Sequence, residues 1–284
     1  MFDRFRNRLE IKGTLTTVTA LRVSAGRSSE PIGSDLPVIK DALRRPLIPG
    51  ASLKGALRSR LESFLRGIDP TFATDPTELV EQIDQIQSLK KDENKKDSIL
   101  TQEILRETDL VSRLFGAPWL AGKLQIRDLT VEPDAWFGQY QERNGVAIER
   151  DTETAANGKL YDFQVVPADT PFQFHAVIEN AESWELGLLL VGLEQLKTQQ
   201  LALGGGRSRG LGVVELVLEK MSWIDVRQGE KLEDIDREKL LEYVKQLANH
   251  QAAREDILHN AEIQAAWSKA LISKLNNELG NHDA

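Results

Sequence analysis

Residues 8–24 have the sequence RLEIKGTLTTVTALRVS, in which apolar and polar side chains alternate and threonine and valine are frequent. A period of two with β-branched residues predicts a strand with one buried face. The next patterned stretch, 49–67, is PGASLKGALRSRLESFLRG, where apolar residues three and four positions apart predict an amphipathic helix. Ser52 is its expected N-cap, and Gly67 and Pro70 are expected to end it. Its expected core positions are Leu53, Ala56, Leu57, Leu61, Phe64 and Leu65.

Four further patterned stretches complete a regular order along the chain. Strands are predicted at 122–132, 171–179 and 213–218, and a leucine-rich helix is predicted at 183–203, between the last two strands. The order strand–helix–strand–strand–helix–strand is that of the ferredoxin-like βαββαβ unit, which RRM domains use to lay RNA on a sheet. The sequence therefore predicts an α+β fold with an RRM-like core, here called the palm.

Three segments fall outside that unit. Residues 71–112 are acidic with sparse apolar positions, and predict a partly helical insertion. Residues 138–168 predict a projecting β-hairpin, with Asn144-Gly145 and Asn157-Gly158 as turn signals. Residues 224–284 predict a helical C-terminal extension, which divides the chain into a palm with its insertions at 1–223 and an extension after it.

Charge is distributed unevenly. The chain of 284 residues has a formal net charge of −8, yet residues 1–68 carry 13 Lys and Arg against 6 Asp and Glu. A basic segment in an acidic protein is consistent with a localised phosphate-binding face, although a chance excess of solvated arginines would give the same count. The sequence contains no cysteine and no apolar run of about eighteen residues. We therefore expect neither disulfides nor a membrane span, and a cytoplasmic location.

The glycine-rich stretch at 204–212, GGGRSRGLG, is the clearest candidate for an anion-binding loop. Consecutive glycines let main-chain N–H groups approach an anion, and Arg207 and Arg209 add guanidinium groups that match phosphate oxygens. The stretch ends a helix, so it is neither a P-loop nor a Rossmann loop. A flexible helix-to-strand connection remains the structural alternative.

Two other candidates lie in the basic segment. Lys54 and Arg58 are four residues apart and so share a helix face, where they could bind phosphate or simply face solvent. Asp35 lies in a loop beside Pro37, where it could ligate a divalent cation, take a proton from a ribose hydroxyl, or form a turn. The four histidines (His175, His250, His259 and His282) all lie in the second half of the chain, without convincing metal-ligand spacing.

Taken in order, five pieces of sequence resemble the RAMP superfamily, in particular the repeated backbone subunit of type III CRISPR effector complexes. They are GSDLPVIKD at 33–41, LIPGASLKGALRSRLE at 47–62, SRLFG at 112–116, GVAIERDTETA at 145–155 and the glycine-rich loop. The shared order covers about residues 8–220. The resemblance implies an antiviral ribonucleoprotein whose subunits stack along a CRISPR guide RNA, beside other effector subunits.

The resemblance also implies roles for individual residues. Residues 71–112 would form a lid and 138–168 a thumb that flips a nucleotide out of the guide–target duplex, so that target RNA is cleaved at regular intervals. Asp35 would be catalytic and would hold Mg²⁺ or another divalent cation weakly, together with the RNA phosphate. The implied RNA-binding residues are Ser52, Lys54, Arg58, Arg150, Gly205, Gly206, Arg207, Ser208, Arg209 and Gly210.

The sequence is also compatible with other functions. The same subunit could bind guide RNA without cleaving target, with Asp35 only shaping its loop. A guide-processing endonuclease is disfavoured, because such relatives generally use an N-terminal histidine and none stands there. A pure protein scaffold would explain neither the glycine–arginine loop nor the basic segment.

Overall fold

The structure is a computed structural model that describes residues 3–24, 26, 34–75, 77–90, 97–229, 235–249 and 254–282. In chain order the strands and helices are β1 (Asn7–Thr17), β2 (Leu47–Ile48), α1 (Gly50–Ile68), α2 (Leu79–Lys90), α3 (Asp97–Arg106), α4 (Leu110–Phe115), β3 (Leu124–Ile126), β4 (Leu129–Thr130), β5 (Gln141–Ile148), β6 (Ala155–Val165), β7 (Pro171–Glu179), α5 (Ser183–Lys197), β8 (Val214–Asp225), α6 (Arg237–Ala248), β9 (Glu255–Asp256) and α7 (Ala261–His282).

The main sheet has five strands in the order β3-β7-β1-β8-β9, and each neighbouring pair is antiparallel. Alternation along β1 buries Leu9, Ile11 and Leu15 completely, and these side chains join one hydrophobic core with residues of α1 and α5. The two helices touch at Gly192, where a Cβ would lie 3.3 Å from a Leu61 methyl carbon. The α+β prediction is confirmed, with β1 at the centre of the sheet.

Helix α1 buries the side chains that its sequence spacing predicts. Leu53, Leu57, Leu61 and Leu65 are buried, while Ala56 and Phe64 pack partly buried against the same core. The helix begins at Gly50 with Pro49 as its N-cap, so the prediction of Ser52 as N-cap was wrong. Gly50 is required at the start, since a Cβ there would lie 2.2 Å from the Ile126 carbonyl oxygen.

Three predicted elements are shorter than their sequence patterns. The strand predicted at 8–24 ends at Thr17, and the one predicted at 122–132 is divided into β3 and β4. Helix α5 ends at Lys197, six residues before the predicted end. Apolar residues beyond these ends, such as Leu21, Val131 and Leu201, are still buried. Periodicity marks burial, and burial continues into loops that pack on the core.

Strands β5 and β6 form the β-hairpin that residues 138–168 predict. Its turn spans 149–154, where the Glu149 N–H donates to the Thr154 carbonyl oxygen at 2.8 Å. The two predicted turn signals were wrong, because Asn144-Gly145 lies within β5 and Asn157-Gly158 within β6. Gly145 has another role: the Tyr161 ring occupies the space where a Cβ would stand, 2.2 Å from Cζ.

The described parts of the inserted segment are helical, as predicted. The C-terminal extension contributes α6 and α7, as predicted, and also β9, which pairs with β8 at the edge of the main sheet. Helix α7 packs on α5, since a Cβ at Gly187 would lie 2.4 Å from the Trp267 carbonyl oxygen, and Leu271 belongs to the main core. Leu241 and Val244 of α6 remain 56% and 51% exposed. The division of the chain after residue 223 stays a prediction. Among the described residues, no helix has the length and apolar character needed to cross a membrane.

One buried ion pair joins the sheet to α5. The Lys123 ammonium, just before β3, lies 2.5 and 2.6 Å from the two Glu185 carboxylate oxygens. Glu185 is fully buried and also accepts the Glu182 N–H at 2.7 Å, in a capping box at the start of α5. Burial raises the pKa of Glu185 although Lys123 lowers it. The pair therefore fixes where α5 begins relative to the edge of the sheet.

Candidate RNA-binding and cleavage site

Three connections meet at one end of the main sheet. Thr16 and Thr17, at the end of β1, pair with Pro171 at the start of β7 and Val214 at the start of β8. The segment after β1 carries Asp35, the hairpin precedes β7, and the glycine-rich loop precedes β8. Antiparallel pairing around β1 thus gathers three segments that are distant in sequence.

The segment that carries Asp35 lies along β6. The Asp35 N–H donates to Asp162 Oδ1 at 2.8 Å, and the Asp162 N–H donates to Asp35 Oδ2 at 3.4 Å. Leu36 then forms a parallel bridge with Phe163, and its carbonyl oxygen accepts the Gln164 N–H at 3.1 Å. Asp35 is exposed. Gly33, the first residue of the GSDLPVIKD motif, lies outside the described residues.

A second set of contacts holds the same segment further along. The Lys40 ammonium donates to Gln164 Oε1 at 3.0 Å and lies 4.4 Å from the centre of the Tyr140 ring. The Tyr140 hydroxyl donates to the Arg44 carbonyl oxygen at 2.7 Å. Burial, with a smaller contribution from Asp41, raises the pKa of Tyr140 to about 12, so the hydroxyl remains a donor at neutral pH. The Asp35 segment is therefore attached to the base of the hairpin at two places.

The backbone of the glycine-rich loop adopts conformations that favour glycine. Gly204, Gly206, Gly210 and Gly212 have φ between 74° and 86°, in the left-handed region that favours glycine. At Gly204 a Cβ would lie 2.1 Å from the Arg22 carbonyl oxygen, which accepts the Gly205 N–H at 2.8 Å.

Between these glycines the loop displays polar groups. Arg207, Ser208 and Arg209 form a single exposed 3₁₀ turn. In the part of the chain that the structure describes, the Gly206, Arg207 and Ser208 N–H groups have no acceptor.

Sequence reasoning missed a row of aromatic and cationic groups beside this loop. The Arg209 guanidinium donates to the Tyr161 hydroxyl at 3.0 Å, and the Tyr161 and Phe163 rings are 6.2 Å apart. The Arg22 guanidinium lies 4.7 Å from the centre of the Phe163 ring. Two sequence features could have indicated this row: the aromatic residues at alternate positions of the predicted hairpin strand, and the basic charge of residues 1–68.

Asp162 was also missed. It alternates with the aromatic residues along β6 and so lies on the opposite side of the strand from Tyr161 and Phe163. Nothing in the local sequence distinguishes it from any exposed strand aspartate. Only its contact with Asp35, 127 positions away, gives it significance.

The structure gives Lys54 and Arg58 internal partners. The Lys54 ammonium donates to the Leu124 carbonyl oxygen at 2.7 Å, and burial, followed by the charge of Arg58, lowers the pKa of Lys54. The Arg58 guanidinium donates to Glu62 Oε1, the Gly116 carbonyl oxygen and Ser112 Oγ at 2.7, 2.8 and 3.0 Å. These contacts tie α1 to β3 and α4 and compete with any phosphate.

Helix α1 does not offer an empty N-terminus to a phosphate. The Gly50 N–H donates to Asp128 Oδ1 at 2.8 Å, so a carboxylate already lies at this helix end. Ser52 is exposed in the first turn, and Arg150 is exposed at the tip of the hairpin. None of the described contacts brings either residue to Asp35, and their roles in RNA binding stay predictions.

For a divalent cation the described residues provide Asp35 and Asp162, and no group of three or more His, Asp or Glu side chains that could hold a metal ion. Carboxylate oxygens suit Mg²⁺, which usually keeps several waters and takes one or two carboxylates along with substrate phosphate. The Asp35 carboxylate therefore has the chemistry of a Mg²⁺ ligand shared with RNA phosphate and water, and its role in holding a cation stays a prediction.

The family model described as the RAMP superfamily matches residues 14–215, which contain α1, the hairpin and the glycine-rich loop. The chain belongs to the RAMP superfamily. Among its relatives is a CRISPR system Cms endoribonuclease Csm3 from Enterococcus italicus, 23% identical over 225 residues, which are 77% of this chain and 94% of that protein. The match thus runs through nearly all of a relative that has this name.

Two shorter matches are more similar in sequence. A protein of the same name from Mycobacterium tuberculosis is 44% identical over 73 residues, 25% of this chain and 31% of the relative. Another from Methanothermobacter thermautotrophicus is 43% identical over 61 residues, 21% of this chain and 25% of the relative. In both cases the matched part spans less than a third of the relative's length.

Proposed function

We propose that this chain is a guide-RNA-binding backbone subunit of a type III CRISPR effector complex, and that it cleaves guide-complementary RNA with Asp35 and a divalent cation. The observation that carries the proposal is the docking of the Asp35 segment on β6, directly beside the glycine–arginine loop. A candidate catalytic carboxylate and a candidate phosphate-binding loop are thereby joined through three consecutive residues, 161–163. The relatives named Csm3 endoribonucleases support the same assignment.

The fold that we infer for the palm is ferredoxin-like. If β1, β3, β7 and β8 are taken as the four strands of a βαββαβ unit, their order in the sheet is second, third, first, fourth, with all neighbours antiparallel. The helices between the first and second and between the third and fourth strands include α1 and α5. This arrangement supports the RRM-like interpretation.

RNA binding is assigned first to the glycine–arginine loop. Among the described residues the Arg207 guanidinium has no hydrogen-bond or ion-pair partner, and the Arg209 guanidinium has one, the Tyr161 hydroxyl. Gly205, Gly206, Ser208 and Gly210 would contribute main-chain or hydroxyl contacts to phosphate. We expect salt-dependent binding of guide RNA without base preference. Lys54 and Arg58 are expected to support this surface by holding α1, because their donors have protein partners.

For cleavage we propose that RNA held by the glycine–arginine loop passes Asp35, which is joined to the same strand, β6. Asp35 would accept the proton of a ribose 2′-hydroxyl, whose oxygen attacks the adjacent phosphorus as the bond to the 5′-oxygen breaks. The leaving 5′-oxygen takes a proton from water and the protonated Asp35 returns its proton to water, so the products are a 2′,3′-cyclic phosphate and a 5′-hydroxyl. A divalent cation held by Asp35 together with the RNA phosphate would supply charge stabilisation at that phosphate.

The hairpin is proposed as the thumb, and α2 and α3 as part of the lid. Arg150 at the hairpin tip would contact the guide–target duplex. If copies of the chain stack along the guide, each hairpin interrupts the duplex once, so cleavage positions are set by protein spacing. Other effector subunits and neighbouring copies would then be its partners, in the cytoplasm.

The test uses the complex assembled with guide RNA, incubated with complementary RNA and Mg²⁺. Asp35→Asn should lower the cleavage rate by at least about 100-fold, since a general base contributes roughly 10²–10⁴-fold, while the Kd for target RNA stays within twofold. Asp134→Asn makes the same chemical change at an exposed aspartate in the one-turn helix Pro133–Ala135, and should leave the rate unchanged. Equal ladders from wild type and Asp35→Asn would instead assign the chain as a non-catalytic guide-binding subunit.

A further inference from the structure

The Asp35 N–H is the main-chain donor of the residue whose carboxylate we assign to catalysis, and its acceptor is the side chain of Asp162 at 2.8 Å. A hydrogen bond at this N–H restricts the Asp35 φ angle, and therefore the direction in which its side chain leaves the backbone. Pro37 biases Leu36 toward extended backbone, which matches the Leu36–Phe163 bridge. The aspartate is thus held from both sides, by one side chain before the bridge and by pairing after it.

Asp162 is the side-chain component of that restraint. The return bond from the Asp162 N–H to Asp35 Oδ2, at 3.4 Å, and the bond from the Gln164 N–H to the Leu36 carbonyl oxygen use main-chain donors. Substitution at 162 leaves those donors in place and removes only the acceptor for the Asp35 N–H. The position therefore offers a selective perturbation of Asp35 geometry.

On its other side, the same stretch of β6 contacts the glycine–arginine loop. Tyr161, next to Asp162, accepts a hydrogen bond from Arg209, and Phe163 lies under the Arg22 guanidinium. Because neighbouring side chains of a strand alternate in direction, the strand carries its contacts with Arg209 and Arg22 on one side and the Asp35 contact on the other. A shift of β6 would move both.

We propose that Asp162 is a positioning residue for Asp35, acting as a hydrogen-bond acceptor that fixes the catalytic aspartate on the hairpin strand. This inference rests on the proposed function and specifies how its site is assembled. What position 162 must supply is an oxygen acceptor, which asparagine also supplies. The negative charge of Asp162 is not the essential property.

The experiment compares Asp162→Ala and Asp162→Asn in the assembled complex under single-turnover conditions. Asp162→Ala should lower the cleavage rate by about tenfold to 100-fold, the range expected when a reacting group is misplaced by about 1 Å. Its Kd for target RNA should stay within twofold. Asp162→Asn should retain the wild-type rate within about threefold, with an unchanged Mg²⁺ concentration for half-maximal rate.

Glu142→Ala is the matched control, because it truncates an exposed side chain on β5 of the same hairpin and leaves both the Asp35–Asp162 and the Lys40–Gln164 contacts in place. Its rate should stay close to wild type, and the melting temperatures of all variants should agree. A wild-type rate for Asp162→Ala overturns the inference. A rate for Asp162→Asn as low as that of Asp162→Ala, or a raised Mg²⁺ requirement, also overturns it, since charge would then be essential.

The variant Asp35→Asn distinguishes a failure of the proposed function from a failure of the inference about Asp162. If it cleaves normally, the proposed function fails and position 162 has no catalytic residue to position. If Asp35→Asn is inactive while Asp162→Ala is fully active, the function stands and only the inference about Asp162 fails.

Discussion

Removing the buried lysine of the Lys123–Glu185 pair should be among the most destabilising changes in this protein. The lysine side chain is 4% exposed and the glutamate side chain 0% exposed, with both carboxylate oxygens within 2.6 Å of the ammonium. Lys123→Met keeps the approximate length of the side chain but leaves a carboxylate without its cation. Breaking a buried pair in this way costs about 3–5 kcal/mol. Urea unfolding of the chain, followed by circular dichroism, measures that loss directly.

The double variant Lys123→Met/Glu185→Gln is the control for this reasoning. It removes both charges yet keeps an oxygen that can accept the Glu182 N–H, so it should recover at least half of the lost stability. Burial raises the pKa of Glu185, and loss of Lys123 raises it further. A raised carboxyl pKa means that stability is lost as pH rises, so the penalty of Lys123→Met should be smaller at pH 5 than at pH 8. A penalty below about 1 kcal/mol, or one that does not change with pH, would refute the assignment of a buried charged pair.

Two further predictions concern charge at the sheet and at the loop. Burial would raise the pKa of Glu10, but Arg254, Lys12 and His175 together bring it below its ordinary range, so the stability it contributes is present at neutral pH. Glu10→Gln should cost on the order of 1–2 kcal/mol at pH 7, and the difference from wild type should vanish as pH falls through that lowered pKa; a constant difference contradicts this. Arg22→Ala should make the slope of the logarithm of the guide-RNA binding constant against the logarithm of salt concentration about 0.7 less negative. Fluorescence anisotropy measures this slope, and Lys269→Ala, on the exposed surface of α7, is the control. An unchanged slope for Arg22→Ala, or an equal effect of Lys269→Ala, contradicts a phosphate contact at Arg22.

The placement of Asp35 also explains how a weak local motif can become a site. An aspartate beside a proline in a loop is, by itself, as consistent with a turn as with catalysis. In the folded chain its main chain pairs with a strand of the hairpin, and that strand contacts the glycine–arginine loop through Tyr161. The base of the hairpin therefore joins the Asp35 segment to the glycine–arginine loop, in addition to the role that we propose for the hairpin tip.

The sequence by itself determined the α+β class, the position of β1 and α1, and the existence of the hairpin. These features depend on periodicity within about twenty residues, which burial of one face imposes on any strand or helix. The glycine-rich loop was equally evident from its run of glycines. In the structure four of these glycines adopt the positive φ that other residues avoid. Features of this kind are determined by residues that are close together in the sequence.

Tertiary structure alone decided which polar side chains are available and which are already used. Lys54 and Arg58 looked equivalent to any exposed cations, yet their partners lie 54 to 70 positions away on β3 and near α4, apart from the local pair with Glu62. The role that we propose for Asp162 depends on its hydrogen bond with Asp35, which lies on another segment. A hydrogen bond between distant residues leaves no periodic signal, because its geometry depends on the path of the whole chain. The sequence thus indicated where charged and glycine-rich segments lie, and the fold decided which of their side chains have protein partners and which stay exposed.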